Sequence, residues 1–139
     1  MAYFIDELQP GMSASTSKTV TEADIILFAG ISTDVNPAHL DEEYAKTTRF
    51  GERIAHGIFT AGFVSTVIGM YLPGPGTIYL SQTLAFKAPE KIGDVVTVNV
   101  EVVEKIEKGH RLRMKCEALV DGKAVLEGEA VVMAPTRAA

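Results

Sequence analysis

Cysteine is nearly absent from this sequence: Cys116 is the single one, so no internal disulfide can form. The amino terminus lacks a cationic segment followed by an apolar stretch, which leads us to expect a cytoplasmic protein. No linker or low-complexity segment divides the 139 residues, so we expect one domain spanning residues 1–139. The 13 basic residues are outnumbered by 18 acidic ones, and the net charge of −5 argues against a general surface for nucleic acid or anionic membranes. A local basic pocket for a phosphorylated ligand is compatible with this balance.

Several catalytic signatures are missing as well. The three histidines have neither a cysteine partner nor His-Glu-x-x-His spacing, so we expect no metal site and no cofactor. There is no glycine-rich phosphate loop and no Gly-x-Ser-x-Gly nucleophile elbow. Cys116 falls on the apolar face of a predicted strand, which favours a buried structural thiol over a nucleophile.

Charge is absent from the middle of the chain: no Asp, Glu, Lys or Arg occurs between Arg53 and Lys87. Within that interval Gly57–Leu72 is apolar, Gly, Ser or Thr throughout, and Pro73-Gly74-Pro75-Gly76 ends the run. These sixteen residues would rise about 24 Å as a helix, short of the roughly 20 residues that cross a bilayer. The stretch therefore predicts a buried central helix rather than a membrane span.

From Thr77 onward the apolar residues alternate with a period of two, which is typical of β-strands. The apolar positions of three predicted strands are Ile78, Leu80, Leu84 and Phe86, then Val96, Val98, Val100 and Val102, then Leu112, Met114, Cys116 and Ala118. A fourth strand runs from Ala124 to Met133 after Asp121-Gly122, a strong hairpin signal. A polar strand from about Ser13 to Val20, expected at a sheet edge, precedes the helix. The pattern predicts an α+β fold in which an antiparallel sheet covers the long helix.

Two short helices are predicted ahead of the central one. Thr21 can cap a helix over Glu22–Ala29, with Gly30 just past its last turn and with Ile25, Leu27 and Phe28 as its buried contacts. Asp41 can cap a second helix over Glu42–Lys46. The two helices would flank residues 34–39 and hold that segment against the body of the protein.

The flanked segment, Asp34-Val35-Asn36-Pro37-Ala38-His39, places a carboxylate and an imidazole five residues apart. Pro37 fixes its own φ and pushes Asn36 towards an extended conformation, so we expect a short loop or turn here. Such side chains are the parts of an acid/base pair, although Asp-x-Asn-Pro is also ordinary turn chemistry.

A wider pattern favours the catalytic interpretation. The run from Phe28 to His39, followed after five residues by Ala45, resembles the hydratase signature of the MaoC-like (R)-specific enoyl-CoA hydratases. The resemblance continues through Arg53-Ile54-Ala55-His56-Gly57 and Gly76-Thr77-Ile78-Tyr79-Leu80 and covers nearly the whole chain. Thr33, where the family usually has glycine, and Ala38, where it has a larger aliphatic residue, depart from the pattern.

The resemblance implies a hot-dog fold, a curved sheet wrapped around a central helix, in a homodimer with the acyl chain entering near the interface. It also implies that Asp34 and His39 are the acid/base pair and that Asn36 positions the water or the pair. The N–H of Gly57, at the start of the predicted helix, is the matching candidate for the oxyanion donor because helix N-termini leave amides unpaired. His56 next to it is expected to satisfy local backbone groups, and His110 to lie on the surface.

The implied reaction is the (R)-specific hydration of a trans-2-enoyl-CoA to an (R)-3-hydroxyacyl-CoA, with the thioester as the partner molecule. One alternative is a hot-dog acyl-CoA thioesterase, which the absence of Asp and Glu from the predicted central helix disfavours. Another is a non-catalytic acyl-CoA-binding subunit. Arg49 and Arg53 are expected to be solvated, although they and Lys87 are candidates to meet a phosphate. The pathway served, polyhydroxyalkanoate precursor supply among others, is left open, as is the acyl length, which would depend on side chains such as Phe59, Phe63 and Val64.

Overall fold

A six-stranded antiparallel sheet and one long helix dominate the structure, a computed structural model that describes residues 2–137. The strands are β1 (Ser13–Thr19), β2 (Ile78–Gln82), β3 (Ala85–Phe86), β4 (Val95–Ile106), β5 (Arg111–Val120) and β6 (Lys123–Met133). The helices are α1 (Glu22–Ser32), α2 (Pro37–Leu40), α3 (Glu42–Ala45) and α4 (Gly57–Met70). The sheet order is β1-β4-β5-β6-β2, and the short β3 also pairs with β6. The predicted arrangement of a long helix among antiparallel strands is thus confirmed, and β1 lies at an edge as expected.

The core lies between α4 and the sheet. The helix buries Thr60, Val64, Val67 and Ile68. Strands β4 and β5 bury the alternating positions predicted for them, which are Val96, Val98, Val100, Val102, Leu112, Met114, Cys116 and Ala118. The apolar face predicted for the first strand is not buried, since Ile78, Leu80 and Phe86 are 55%, 46% and 52% exposed. Burial raises the pKa of the Cys116 thiol to about 11. Because the thiolate is the reactive form, Cys116 is an inert core residue. Within residues 2–137 no helix is both long and apolar enough to cross a membrane.

The hairpin between β5 and β6 has the geometry that its sequence predicts. Val120 pairs with Lys123, and the two residues between them, Asp121 and Gly122, have φ values of 51° and 76°. Positive φ at both central positions is what a twisted two-residue hairpin requires.

The predicted helix boundaries needed correction at α1. This helix runs to Ser32 rather than ending at Ala29, so Gly30 lies inside it, and Thr33 caps it with a left-handed φ of 65°. Leu27 was expected to be buried but is 62% exposed, whereas Ile25 is fully buried. The cap of α3 is as predicted, since the Asp41 carboxylate accepts the N–H groups of Glu43 and Tyr44.

The strand predicted from Ile78 to Phe86 is divided into β2 and β3. Between them the Thr83 N–H donates to the Glu129 carbonyl at 2.8 Å, and the Glu129 N–H donates to the Thr83 hydroxyl at 2.9 Å. The Thr83 carbonyl then lies only 1.9 Å from where a Cβ on Gly128 would be. The crossing is possible because residue 128 of β6 is glycine.

Candidate active site

Asp34 lies on the turn between α1 and α2, and local hydrogen bonds shape that turn. Its N–H donates to the Ser32 hydroxyl at 3.1 Å, and its carboxylate accepts the Asn36 N–H at 3.2 Å. The side chain is exposed. The predicted turn chemistry and the predicted acid/base residue therefore coexist in one side chain.

His39 lies on the single turn of α2, which begins at Pro37. Its Nδ1 is 2.8 Å from the Ile54 carbonyl oxygen. A carbonyl only accepts, so Nδ1 carries the proton of the neutral ring and Nε2 is left with a free lone pair. This is the arrangement of a base whose second nitrogen is oriented by the backbone.

His56 brings the two halves of the site together. It is 2% exposed, its Nε2 lies 2.9 Å from the Asp34 carbonyl oxygen, and its ring stacks on that of His39 with centroids 3.8 Å apart. A carboxylate oxygen of Asp34 and one ring nitrogen from each of His39 and His56 lie within 4.8 Å of one another. The predicted pair is thus assembled, with a second imidazole beside it.

The expectation that His56 satisfies local backbone groups was wrong about the partner. It does satisfy a backbone group, but that group belongs to Asp34, 22 residues away, and its side chain makes no capping bond to α4. A carboxylate and two imidazoles are also able to ligand a metal ion. The absence of a metal therefore stays a prediction.

Asn36 and Gly57 each lie at the start of a helix. The Asn36 side chain accepts the Ala38 N–H at 3.0 Å and caps α2. Gly57 is the first residue of α4, and within residues 2–137 no hydrogen bond engages its N–H. The Phe86 ring lies against it, 2.8 Å from where a Cβ would be.

Gly57 opens onto a cavity of about 400 Å³ with mainly apolar walls that include Ile54, Ile58 and Phe86. Asp34 and His39 are not among its lining residues. An aromatic row begins at His56, where Phe28 contacts the imidazole with ring centroids 4.8 Å apart.

The row then continues through Phe59 to Phe63, with centroid separations of 5.9 Å and 4.8 Å. Val64 is fully buried in the core. Of the three residues named for the acyl tunnel, the two phenylalanines therefore extend the row and Val64 does not.

The basic residues near the site divide into two kinds. Arg53 was expected to be solvated but is 10% exposed, with its guanidinium 2.7 Å from the Glu22 carboxylate and 2.8 Å from the His39 carbonyl oxygen. It therefore holds α1 and α2 together. Arg49 and Lys87 are exposed and line the cavity at Gly57, whereas His110 is on the surface as expected.

Glu90 is a buried acid that the sequence patterns did not indicate. It is 4% exposed, its carboxyl is bonded to the hydroxyl of Thr60 on α4, and it lines the same cavity as Gly57. Removal from water raises the pKa of the Glu90 carboxyl, which the bond to Thr60 offsets only in part. Its position after Pro89 offers no periodic signal from which burial could have been foreseen.

Comparisons with known proteins identify relatives of the whole chain. A family model described as "MaoC like domain" matches residues 6–124. The chain is 50% identical to an (R)-specific enoyl-CoA hydratase from Rhodospirillum rubrum, over 97% of this chain and 94% of that protein. It is 46% identical to a 3-hydroxybutyryl-CoA dehydratase from Methylorubrum extorquens, over 96% and 85%. Among solved structures, the unliganded R-hydratase PhaJ1 from Pseudomonas aeruginosa has a TM-score of 0.92 and 47% identity, over 96% of this chain and 86% of that one.

Proposed function

Because this chain belongs to the MaoC-like domain family and has its hot-dog fold, we propose that it catalyses the (R)-specific hydration of trans-2-enoyl-CoA. The product is an (R)-3-hydroxyacyl-CoA, and the reverse reaction is its dehydration. The enzyme is of the lyase class. The observation that carries the proposal is the assembly of Asp34 and His39 next to the start of α4.

The reaction makes three demands on the site. Water adds its oxygen to C3 of the enoyl group and loses a proton to a base, while an acid delivers a proton to C2. Between these events negative charge develops on the thioester oxygen and needs a hydrogen-bond donor. Atoms balance with water as the only co-reactant, so no covalent intermediate is required.

The proposed roles follow from the contacts of each residue. Asp34 and His39 exchange the two protons, with the bare Nε2 of His39 as one proton site and the Asp34 carboxylate as the other. Which group serves water and which serves C2 is left open. Asn36 holds the turn and orients water, and the free N–H of Gly57 stabilises the thioester oxygen.

The substrate's CoA portion has candidate partners at the cavity mouth. Arg49 and Lys87 are exposed cations there, whereas the guanidinium of Arg53 is already engaged by Glu22 and the His39 carbonyl. The structural arrangement therefore favours Arg49 and Lys87 over Arg53 as phosphate contacts.

We also propose that the protein is a homodimer in which a second copy covers β2. This strand ends the sheet, and its Ile78 and Leu80 are 55% and 46% exposed. The opposite edge, β1, consists of Ser, Thr, Ala and Lys. An exposed apolar edge strand tends to pair with a strand of another chain, whereas a polar edge strand does so less readily. The edge that we expect a second copy to cover is therefore β2.

The deciding experiment measures the loss of enoyl-thioester absorbance with crotonyl-CoA and a medium-chain trans-2-enoyl-CoA. Wild-type protein should consume substrate and give an (R) product, read by (R)- and (S)-specific coupling enzymes. Asp34→Asn and His39→Gln should each lower kcat by about 10²–10⁴-fold, the usual contribution of a positioned acid or base. The matched controls are Asp121→Asn and His110→Asn, two exposed turn residues with positive φ that asparagine tolerates.

Two results would contradict the proposal. One is near-normal hydration by the Asp34 and His39 variants. The other is release of free CoA, detected with a thiol reagent, without hydration, which would indicate a thioesterase instead. The latter is disfavoured because α4 contains neither Asp nor Glu.

A further inference from the structure

His56 is a buried polar residue to which the proposed chemistry gives no task. It precedes Gly57 and occupies the cap position of α4, yet its side chain makes no cap bond to that helix. Its carbonyl accepts the Phe59 N–H at 3.1 Å, so the main chain begins the helix without help from the ring. The imidazole is therefore free to serve the site instead of the helix.

The hydrogen bond to Asp34 fixes the chemical form of the His56 ring. The Asp34 carbonyl can only accept, so Nε2 donates across the 2.9 Å separation. Nδ1 is buried and has no partner within residues 2–137. The ring is therefore held through its Nε2–H donor alone.

Two ring side chains also pack against the same imidazole. One contact is with His39, whose ring is 3.8 Å away and inclined by only 26°. Another is with Phe28, at 4.8 Å and 57°. His39 is otherwise held at its edge by the single bond from Nδ1 to the Ile54 carbonyl. That bond fixes one atom of the ring, and the stack on His56 fixes its plane.

We propose that His56 is a positioning residue that fixes the positions of Asp34, His39 and the Gly57 N–H relative to one another. This inference rests on the proposed hydratase function. The side-chain donor holds the peptide of Asp34, the ring holds the plane of His39, and the peptide bond that follows supplies the N–H of Gly57. One residue thus connects the acid/base pair to the oxyanion donor. Displacements of about 1 Å at such a site can cost roughly 10²-fold in rate.

His56 makes two contributions, the N–H donor to Asp34 and the ring stacked on His39, and different variants remove each of them. His56→Gln keeps an N–H donor near the position of Nε2 and loses the stack, His56→Phe keeps the stack and loses the donor, and His56→Leu loses both. His110→Asn is the matched control, because His110 is exposed and its φ of 52° suits asparagine.

The test measures kcat and KM for crotonyl-CoA together with thermal denaturation. His56→Leu should lower kcat by about 10²-fold with KM within about threefold of wild type, since positioning acts on the reaction and not on binding. Gln and Phe should each recover part of the loss, about tenfold over Leu. If the Leu variant does not fold, Gln and Phe are compared with wild type directly, and each should then be reduced by about tenfold in kcat with KM preserved.

The proposal is overturned if folded His56→Leu keeps kcat within threefold of wild type, if KM rises in step with the loss of kcat, or if Gln and Phe recover nothing. A second readout needs no turnover: ¹⁵N spectra of the His39 imidazole should show one Nδ1–H tautomer in wild type and a mixture in His56→Leu, or in His56→Gln, which also loses the stack, if the Leu variant does not fold. Identical spectra would overturn the inference even if the wild-type protein proved inactive. If the wild-type protein is inactive but the spectra change as expected, the hydratase proposal is wrong and the positioning role of His56 still holds.

Discussion

Thr33 shows how a single residue can depart from a family pattern while the turn is kept. Its φ of 65° lies in the left-handed region, which glycine adopts without steric cost and in which a β-branched residue is strained. Its hydroxyl donates to the Ser32 carbonyl at 2.6 Å, which offsets part of that strain. The threonine therefore adopts the left-handed conformation before Asp34 at a cost in conformational energy.

Glu90 should make the stability of the protein depend on pH. Because burial raises its pKa in the folded state, the neutral carboxyl stabilises the fold fully below the unfolded value of about 4.5. That stabilisation is lost as the pH rises through the folded pKa. Urea unfolding from pH 4 to pH 8 should therefore show Glu90→Gln gaining free energy of unfolding relative to wild type as the pH increases.

The control for this prediction is Glu101→Gln, a carboxylate exposed on β4. The difference in unfolding free energy between this variant and wild type should stay level across the same pH range. A Glu90→Gln curve that stays parallel to wild type would show that Glu90 is ionised in the fold as readily as in the unfolded chain.

At the same scale, sequence reasoning found residues whose neighbours are local and missed those whose partners are distant. Asp34, Asn36 and His39 lie within six consecutive positions, and a resemblance to a known signature singled them out. The engagement of Arg53 by Glu22 and the contact of His56 with Asp34 span 31 and 22 residues. No spacing rule connects side chains across such distances, because the fold brings them together.

At the scale of elements, Gly128 is the position where two strands cross most closely. Gly128→Ala would place a methyl group 1.9 Å from the Thr83 carbonyl oxygen, and both partners are backbone that cannot simply rotate away. We expect a loss of about 1–3 kcal/mol or more in the free energy of unfolding, measured by urea denaturation.

Gly30→Ala is the matched substitution, since the space around residue 30 is open and the residue lies within α1. Alanine there should raise the free energy of unfolding by about 0.5–1 kcal/mol. Equal effects of the two substitutions would contradict the close crossing at Gly128.

The elements themselves were predictable wherever one physical signal dominated. Alternating apolar residues located β4, β5 and β6, and the uncharged stretch located α4. The division between β2 and β3 was missed because it depends on Thr83 meeting a glycine of β6, a contact between segments 45 residues apart. The exposure of Leu27 was missed because an apolar residue type predicts burial, while the sequence of a short helix does not show which face lies against the core.

At the scale of the whole molecule, the apolar edge at β2 leads to a prediction about mass. Sedimentation should give the wild-type protein a mass twice that of the 14.9 kDa chain. Leu80→Lys places a charge on the exposed edge and should shift the protein towards the single-chain mass. Val95→Lys is the control, because Val95 is similarly exposed, at 52%, but lies on β4, away from that edge.

A wild-type protein that sediments as one chain would contradict the homodimer proposal. So would an unchanged mass for Leu80→Lys, because the second copy would then have to lie elsewhere. The cytoplasmic location and the single-domain organisation stay predictions at this scale.

In the side-chain hydrogen bonds between residues 34–39 and residues 53–56, the donor depends on the amino-acid type and the acceptor does not. His39, Arg53 and His56 donate through side chains, whereas the acceptors on Ile54, His39 and Asp34 are peptide carbonyls that any amino acid supplies. A substitution at Ile54 therefore leaves its carbonyl acceptor in place, while a substitution at Arg53 or His56 removes the side-chain donor and with it the hydrogen bond. Tolerance to substitution around this site should therefore be uneven, because Ile54 can vary among apolar residues while Arg53 and His56 cannot vary without loss of a bond.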